Sequence, residues 1–263
     1  MKRLFGNRVK RAAVLGCGPA GLFATHALLQ KGWEVEVFSR KRRSEMYGAQ
    51  YLHKPIPGLS FGEGTPIRYS LFGTAEQYRQ KVYGSRAVIV SPEALTQQHL
   101  AWDIREAYFK AWNEYAHLIE PVAEIGPEFL IRLVNNRAYD RVLSSIPMPA
   151  LCRDEHHKFD SQTIWAIGDA PERGTFCPIP CKPNTVALDG TPDVGWYRVS
   201  NVFGYTTAEW PESRKPPFEN VSPVIKPIRH DCDCWQGIVT VGRYGAWAKG
   251  YLSHQAYERA ALL

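Results

Sequence analysis

Apolar and polar positions follow different periods along the chain, and each change of period marks a predicted element. Ala12 to Leu15 is a short apolar run, Pro19 to Gln30 is apolar at helical spacing, and Val35 to Phe38 is a second apolar run. A buried parallel strand reads as a continuous apolar run and a helix as a repeat of about 3.6 residues, so this segment predicts strand, turn, helix, strand. Residues 54–91 are rich in Pro, Gly and Tyr and read as loops and short strands, with Arg86 to Val90 a sheet strand. Pro92 to Leu118 turns helical, with Ser91 as its cap and Pro92 at its first position. Its aromatics, Trp102, Tyr108, Phe109, Trp112 and Tyr115, are assigned to the core.

A second β-α-β rhythm follows. Leu118 to Ile125 is strand-like, Pro127 to Asn135 helix-like, and Tyr139 to Ser145 a buried strand closed by Ile146 and Pro147. The chain thus returns to the sheet it began. It leaves again from Cys152 to Ile228, where Thr163 to Ile167, Asn184 to Leu188 and Gly195 to Tyr205 alternate apolar and polar residues of high β-propensity and predict antiparallel strands. Gly237 to Val241 is a last strand that runs into Gly242-Arg243-Tyr244-Gly245, and Ser253 to Leu263 closes the chain as an amphipathic helix. The order predicts an α/β fold.

The turn between the first strand and helix carries chemistry. Gly16, Gly18 and Gly21 form G-x-G-x-x-G. The first glycine makes the tight turn, the second lets backbone approach a pyrophosphate, and the third lets helix and strand pack closely. The unpaired N–H groups and positive dipole end of the helix suit a diphosphate. A dinucleotide is the ligand this arrangement predicts. An acid normally closes the second strand and takes the ribose hydroxyls, but Ser39 stands there, followed by Arg40, Lys41, Arg42 and Arg43. Those cations could grip a 2′-phosphate, as in NADP, or Ser39 could hydrogen-bond an adenosine ribose beside solvated arginines. Interruption of the first sheet by other segments is typical of FAD domains and favours FAD.

Composition narrows the class. The chain has 263 residues, of which 44% are hydrophobic and 12% aromatic, enough for a sizeable core. No apolar run approaches the roughly 20 residues of a membrane span, and the basic stretch Met1 to Lys10 lacks the apolar core of a secretory signal. A cytoplasmic location with reduced thiols is expected. The net charge of +6 is compatible with an anionic partner, whether nucleotide or nucleic acid.

Several stretches resemble one family. GCGPAGLFATHALLQKGWEVEVF is similar to the FAD-binding start of the glutathione-reductase-like flavoprotein superfamily, and the fit is closer to its amine-oxidase and UDP-galactopyranose mutase branch. YGAQYLH resembles the mutase segment beside the flavin, with Gln50 in the place of a histidine. YDRVLSSIP resembles the strand returning to the flavin domain, and TPDVGWYRVSNVFGY a substrate-sheet strand. IVTVGRYGAWAKGYLSHQAYERA resembles the C-terminal element that contacts the flavin end of FAD. Small relatives of this kind occur among bacteriophage flavoproteins, some linked to hypermodified thymine in phage DNA.

The resemblance implies a discontinuous Rossmann-like FAD-binding domain over residues 1–53, 118–151 and 236–263, with a smaller substrate domain on an antiparallel sheet over 54–117 and 152–235. FAD would be held by Gly16, Gly18, Pro19, Ala20 and Gly21, with Ser39, Arg40 and Val122 towards the adenosine and Gly242, Arg243 and Trp247 towards the flavin. Gln50, Tyr51 and His53 would line the flavin face, with His53 the candidate base near neutral pH. Arg243 would stabilise an anionic reduced flavin. Arg198 faces either the active site or solvent; strand alternation leaves both open.

The implied activity is FAD-dependent oxidation of a C–N bond in an amine or amino-acid-like substrate. Phage-type relatives and the basic charge make an amino-acid-modified thymine in DNA a candidate, which would place the protein in a host cytoplasm. Two alternatives stand beside it: a non-redox flavin mutase acting on a sugar nucleotide, and a nucleotide- or DNA-binding accessory protein with a degenerate cofactor site. Ile167-Gly168-Asp169-Ala170 mimics a ribityl-binding motif, but chain order assigns it to a turn in the substrate sheet.

The cysteines are a separate matter. Cys177-x3-Cys181 and Cys232-x-Cys234 could supply four thiolates to zinc, with His156, His157 and His230 as further candidates. The spacings fit no familiar structural zinc pattern, and reduced buried thiols without a metal are the preferred expectation. Asp231 and Asp233 disfavour a reactive thiolate, because negative neighbours raise a thiol pKa.

Overall fold

The computed structural model describes residues 8–40, 51–169 and 176–263. In chain order its first elements are β1 (Arg11–Leu15), α1 (Pro19–Gln30), β2 (Glu34–Ser39), β3 (Thr65–Phe72), α2 (Ala75–Tyr83), β4 (Gln98–Ala101) and α3 (Ile104–Tyr115). Then come β5 (Ile119–Pro121), α4 (Pro127–Asn135), β6 (Arg141–Ser144), β7 (Phe159–Gly168), β8 (Thr185–Asp189), β9 (Arg198–Val202) and β10 (Tyr205–Pro211). The chain closes with β11 (Ser222–His230), β12 (Val239–Thr240), α5 (Gly242–Gly245) and α6 (Ser253–Ala261).

The chain divides into two compact units, the first over residues 1–44, 107–159 and 229–263, the second over 45–106 and 160–228. In unit one a five-stranded sheet has the order β12-β6-β1-β2-β5, with every neighbouring pair parallel. From β1 the chain winds outward through β2 to β5, then crosses back past β1 to lay down β6 and β12. This reversal is the topological switch at which open α/β sheets bind ligands, outside the carboxyl ends of the strands. Residues Gly21 to Leu28 of α1 are all buried, so this helix is apolar on nearly every side. Ala13, Leu15, Leu130, Leu133, Val142 and Leu151 form a core between the sheet and α4.

In unit two a seven-stranded mixed sheet runs β11-β7-β10-β9-β8-β3-β4, in which β3 and β8 are parallel while β3–β4, β8–β9, β9–β10 and β10–β7 are antiparallel. Phe203 and Gly204 join β9 to β10 with φ of 54° and 80°, the paired positive angles of a type I′ hairpin turn whose twist suits the strands. One face carries Ile67, Ile164, Ala166, Val186 and Leu188 under Tyr78 and Val82 of α2. The opposite face packs Ile167, Val199, Ala208 and Trp210.

Three expectations need correction. The helix over Pro92 to Leu118 is divided: Glu93–Leu95 is a single 3-10 turn, Gln98–Ala101 pairs with β3 as β4, and α3 begins at Ile104. Asp103 restarts the helix, its carboxylate accepting from the N–H groups of Arg105 and Glu106 at 2.7 and 3.3 Å. Arg86 to Val90 forms no strand; Arg86 instead reaches Gln162 Oε1 at 2.6 Å. The loop-rich reading of 54–91 omitted α2, which has a full capping box between Thr74 and Gln77.

The boundary between the two units falls inside α3, at 106/107. The aromatic face explains this: Tyr108 is fully buried and donates its hydroxyl to the Cys17 carbonyl at 3.0 Å, which binds the helix to the glycine turn of unit one. Further boundaries fall at 159/160 and 228/229, and the Lys158 N–H donates to Asp231 within unit one.

Candidate dinucleotide site

The carboxyl ends of β1, β6 and β12 meet at the switch point, and the turns after β1 and β12 each hold a glycine with no room for a side chain. Gly16 has φ +94°, and a Cβ there would lie 2.5 Å from Ser145 Oγ. That hydroxyl is fixed, because it donates to the Leu15 carbonyl at 2.9 Å. A Cβ on Gly21 would fall 1.9 Å from the Gly16 carbonyl oxygen, so turn and helix approach as closely as backbone allows. Gly18 precedes α1, Pro19 and Ala20 open it, and no side chain caps its first N–H groups. An α-helix start without a side-chain cap leaves donors and a partial positive charge for an anion.

The second glycine turn stacks on the first. A Cβ on Gly242, which has φ +70°, would lie 2.4 Å from Ala20 Cβ; one on Gly245 would lie 2.2 Å from the Ser144 carbonyl oxygen. Thus α5 sits on the first turn of α1 and on the end of β6. It carries Arg243, and Trp247 follows with φ 41° and a buried ring. Arg243 Nε and Trp247 Nε1 are buried donors without an acceptor among the described residues. A buried, unmatched N–H costs roughly 1–3 kcal/mol, so two in one turn call for a ligand with acceptor atoms.

At the other side of the turn, Ser39 is buried and its hydroxyl accepts from the Cys17 N–H at 3.3 Å. Ser39 therefore braces the glycine turn from the end of β2. Its carbonyl accepts from the Val122 N–H at 3.1 Å, and exposed Arg40 donates from Nε to the Ala123 carbonyl at 3.3 Å. Glu36 is not a substitute acid, since Arg11 Nη2 lies 2.6 Å and Tyr139 Oη 2.5 Å from its carboxylate.

The remaining predicted residues divide between the units. Gln50 lies outside the described residues. His53 and Arg198 belong to unit two, Arg243 to unit one. His53 is half-buried in an aromatic cluster, 4.7 Å from the Tyr51 ring and 5.3 Å from the His99 ring between centroids. Strand pairing settles the orientation of Arg198: its register partners Leu188 and Glu209 share its face, as does Tyr69, so it points to the α2 side. Its Nη2 donates to Tyr69 Oη at 3.3 Å, and its Nη1 lies 3.9 Å from Glu209 Oε2. Glu209 is buried and also takes Lys226 Nζ and Tyr197 Oη, each at 2.5 Å. Burial alone would raise its pKa, but Lys226 and Arg198 outweigh that and bring it down to about 2. Burial pushes the Tyr51 and Tyr78 phenols well above their ordinary range, which keeps both neutral.

Gly168 and Asp169 belong to the mixed sheet of unit two, where the Asp169 carboxylate accepts from the Cys177 and Thr206 N–H groups at 2.7 and 2.6 Å. Cys177 and Cys181 line the Trp165, Trp196 and Phe218 side of that sheet. Of the cysteines weighed as a four-thiolate set, Cys177 and Cys181 belong to unit two and Cys232 and Cys234 to unit one, where Cys152 and His157 join the latter pair. Cys152 was the missed ligand, and its spacing in Cys152-x4-His157 was the signal that could have singled out His157 among the three candidate histidines. Tyr108 and Ser145 were missed too, because their roles at the glycine turn depend on partners about 90 or more residues away.

No family model matches the chain, and no curated protein matches it in sequence. Solved structures do match. The 2-methyl-3-hydroxypyridine-5-carboxylic acid oxygenase is 13% identical over 97% of this chain and 87% of that one, with a TM-score of 0.51. BrvH, a flavin-dependent halogenase from Brevundimonas sp. BAL3, is 10% identical over 97% of this chain and 71% of that one, with a TM-score of 0.55. At such identities the likeness is one of fold. This chain shares the α/β fold of those two enzymes.

Proposed function

We propose that this protein is an FAD-dependent oxidoreductase acting on a small organic substrate, with the dinucleotide held by a discontinuous Rossmann-like unit one. The observation that carries the reading is the stacking of two glycine turns at the switch point, the second bearing the buried, unmatched donors of Arg243 and Trp247. The α1 N-terminus and the backbone at Gly18 would take the diphosphate. Arg40 and Val122 would flank the adenosine, with Ser39 acting through the turn it braces. Arg243 and Trp247 would supply donors to the flavin half. Bound FAD would supply two-electron redox chemistry at its isoalloxazine ring. The Arg243 charge would then favour the anionic reduced ring.

Within unit two, His53 stands against the Tyr51 and His99 rings, and His99 against Tyr69; His53 is the candidate acid–base residue of this reading. Oxygen transfer is preferred to oxidation of a C–N bond, because the matched folds carry the names of an oxygenase and a flavin-dependent halogenase. A shared fold permits other chemistry, so amine oxidation remains the second arm of the test. A modified thymine in phage DNA and a sugar-nucleotide mutase have no structural observation behind them and enter only as further substrates.

The decisive experiment is purification followed by absorbance near about 450 nm and mass analysis of the released cofactor. A yellow protein releasing FAD is expected. A colourless protein that takes up no added FAD refutes the reading and leaves a degenerate site. Oxygen consumption with reduced nicotinamide and a small aromatic acid supports oxygen transfer; oxygen consumption with amines alone supports C–N oxidation. Turnover that needs prior reduction and consumes no acceptor points to the mutase reaction. Arg243→Met should keep the fold and weaken FAD binding about tenfold or more, as loss of one charged hydrogen bond implies.

A further inference from the structure

In unit one, Cys152, His157, Cys232 and Cys234 bring one ligand atom each to a group whose atoms all lie within 4.8 Å of one another. Cys152 Sγ is 3.4 Å from Cys232 Sγ and 3.8 Å from Cys234 Sγ. His157 Nδ1 is 3.3 Å from Cys152 Sγ and 3.5 Å from Cys234 Sγ. A zinc ion with Zn–S near about 2.3 Å and Zn–N near about 2.0–2.1 Å, in tetrahedral geometry, sets S···S at roughly 3.8 Å and S···N at roughly 3.5 Å. The four measured separations fall within a few tenths of an ångström of those edges.

The imidazole is oriented as a metal ligand would be. Nδ1 faces the sulfurs, while Nε2 lies 3.5 Å from Asp233 Oδ1 and 4.0 Å from Asp154 Oδ2. A carboxylate behind the far nitrogen fixes the tautomer and raises ligand basicity. The two stretches are also fastened together independently of the group. Trp235 Nε1 donates to the Leu151 carbonyl at 2.6 Å, and Arg153 lies over the Trp235 ring and donates to the Cys234 carbonyl at 3.2 Å. On the other flank the Lys158 N–H donates to Asp231 Oδ1 at 2.6 Å. The ligands thus project from braced backbone.

We infer that Cys152, His157, Cys232 and Cys234 form a structural zinc site with no open position. Binding replaces three thiol protons by one Zn²⁺ and leaves a net charge of −1, which the neighbouring Arg153 offsets. A disulfide is the poorer account, because three thiols cannot all pair and the histidine would be left unused. Zinc uses all four ligands, and the site is independent of the flavin reading.

Zinc per chain in the purified full-length protein, measured by mass spectrometry, tests it. One zinc per chain is expected, retained in Cys177→Ser and lost in the Cys232→Ser, Cys234→Ser double variant. Co²⁺ added to the metal-stripped, reduced wild type should saturate at one equivalent with tetrahedral visible bands and thiolate charge-transfer absorbance, a readout that needs no variant to fold. Asp233→Asn should weaken zinc binding about 10- to 100-fold. Negligible zinc with no thiolate–cobalt bands overturns the inference. So does zinc unchanged in the double variant, or a Cys152–Cys232 disulfide as the main form of freshly reduced protein.

Discussion

The stacking of the two glycine turns can be tested by filling the space between them. Gly242→Ala would place a methyl carbon 2.4 Å from Ala20 Cβ, where ordinary carbon contact begins at about 3.5 Å. It would also hold an L-residue at φ +70°, which costs roughly 1–2 kcal/mol. Overlap in a packed site costs a further 1–3 kcal/mol or so. The total expected loss of stability is therefore about 2–5 kcal/mol. Ala20→Gly removes the overlap but not the φ strain. Near the start of α1 it costs no more than about 1 kcal/mol alone. The coupling between the two changes should therefore be roughly 1–3 kcal/mol, and the double variant, less the cost of Ala20→Gly, about 0–3 kcal/mol more stable than Gly242→Ala. Urea unfolding followed by tryptophan fluorescence reports all four corners of the cycle, and FAD titration reports whether affinity recovers in parallel. If the single changes add within about 0.5 kcal/mol, α5 does not rest on α1 and the site described above is wrong.

Other tests address the network in unit two and the braces of the turn. Glu209→Gln leaves Arg198 and Lys226 facing each other in a buried place and should cost roughly 3–5 kcal/mol near neutral pH by chemical denaturation. The Glu209 carboxyl has its pKa lowered from about 4.5 to about 2 in the fold, so its contribution is complete above about pH 5 and is lost as pH falls towards 2. That contribution is on the order of 3 kcal/mol. Stability should fall less steeply between pH 5 and 3 in the glutamine variant, and an unchanged slope refutes the assignment. Tyr108→Phe removes the hydroxyl on the Cys17 carbonyl and should cost about 1–2 kcal/mol; no change in the urea midpoint would detach α3 from the turn. Ser39→Ala should lower stability by about 1 kcal/mol and FAD affinity only a few-fold, whereas loss of all FAD binding would make Ser39 a direct ligand.

Local patterns in the sequence located most of unit one. The apolar runs at β1 and β6 come from residues buried on both faces of a parallel sheet, β2 alternates buried Val35 and Val37 with Glu34 and Glu36, and α1 and α4 show helical spacing. Such runs survive without knowledge of partners. The mixed sheet of unit two was harder. β3 holds Pro66 and Arg68, and β11 holds Pro223 and Pro227, so their strand character comes from pairing and not from propensity. The false helix over Pro92 to Leu118 failed for the converse reason: Gln98 to Ala101 suits a helix, but β3 offers it a sheet edge. Cys152 escaped notice, and His157 stood undistinguished among three histidines, because their distance from Cys232 in the chain hides the contact between them.

The structure also separates two arginines that sequence treated alike. Arg198 was a candidate for the active site and Arg243 for the flavin, both on the strength of flanking residues. Arg198 shares the Glu209 carboxylate with Lys226, and Tyr69 accepts from its guanidinium, although its Nε, like that of Arg243, is buried without an acceptor among the described residues. Its ion pair lies within the sheet of unit two, so substitution there should act first on stability. Arg243 stands on a turn stacked against the glycine motif, and its Nε is buried without an acceptor among the described residues. A cation near the end of a diphosphate-binding helix adds to the same positive field. An anionic dinucleotide therefore gains more from Arg243 than from Arg198, and the proposed electrostatic role belongs to the arginine of unit one.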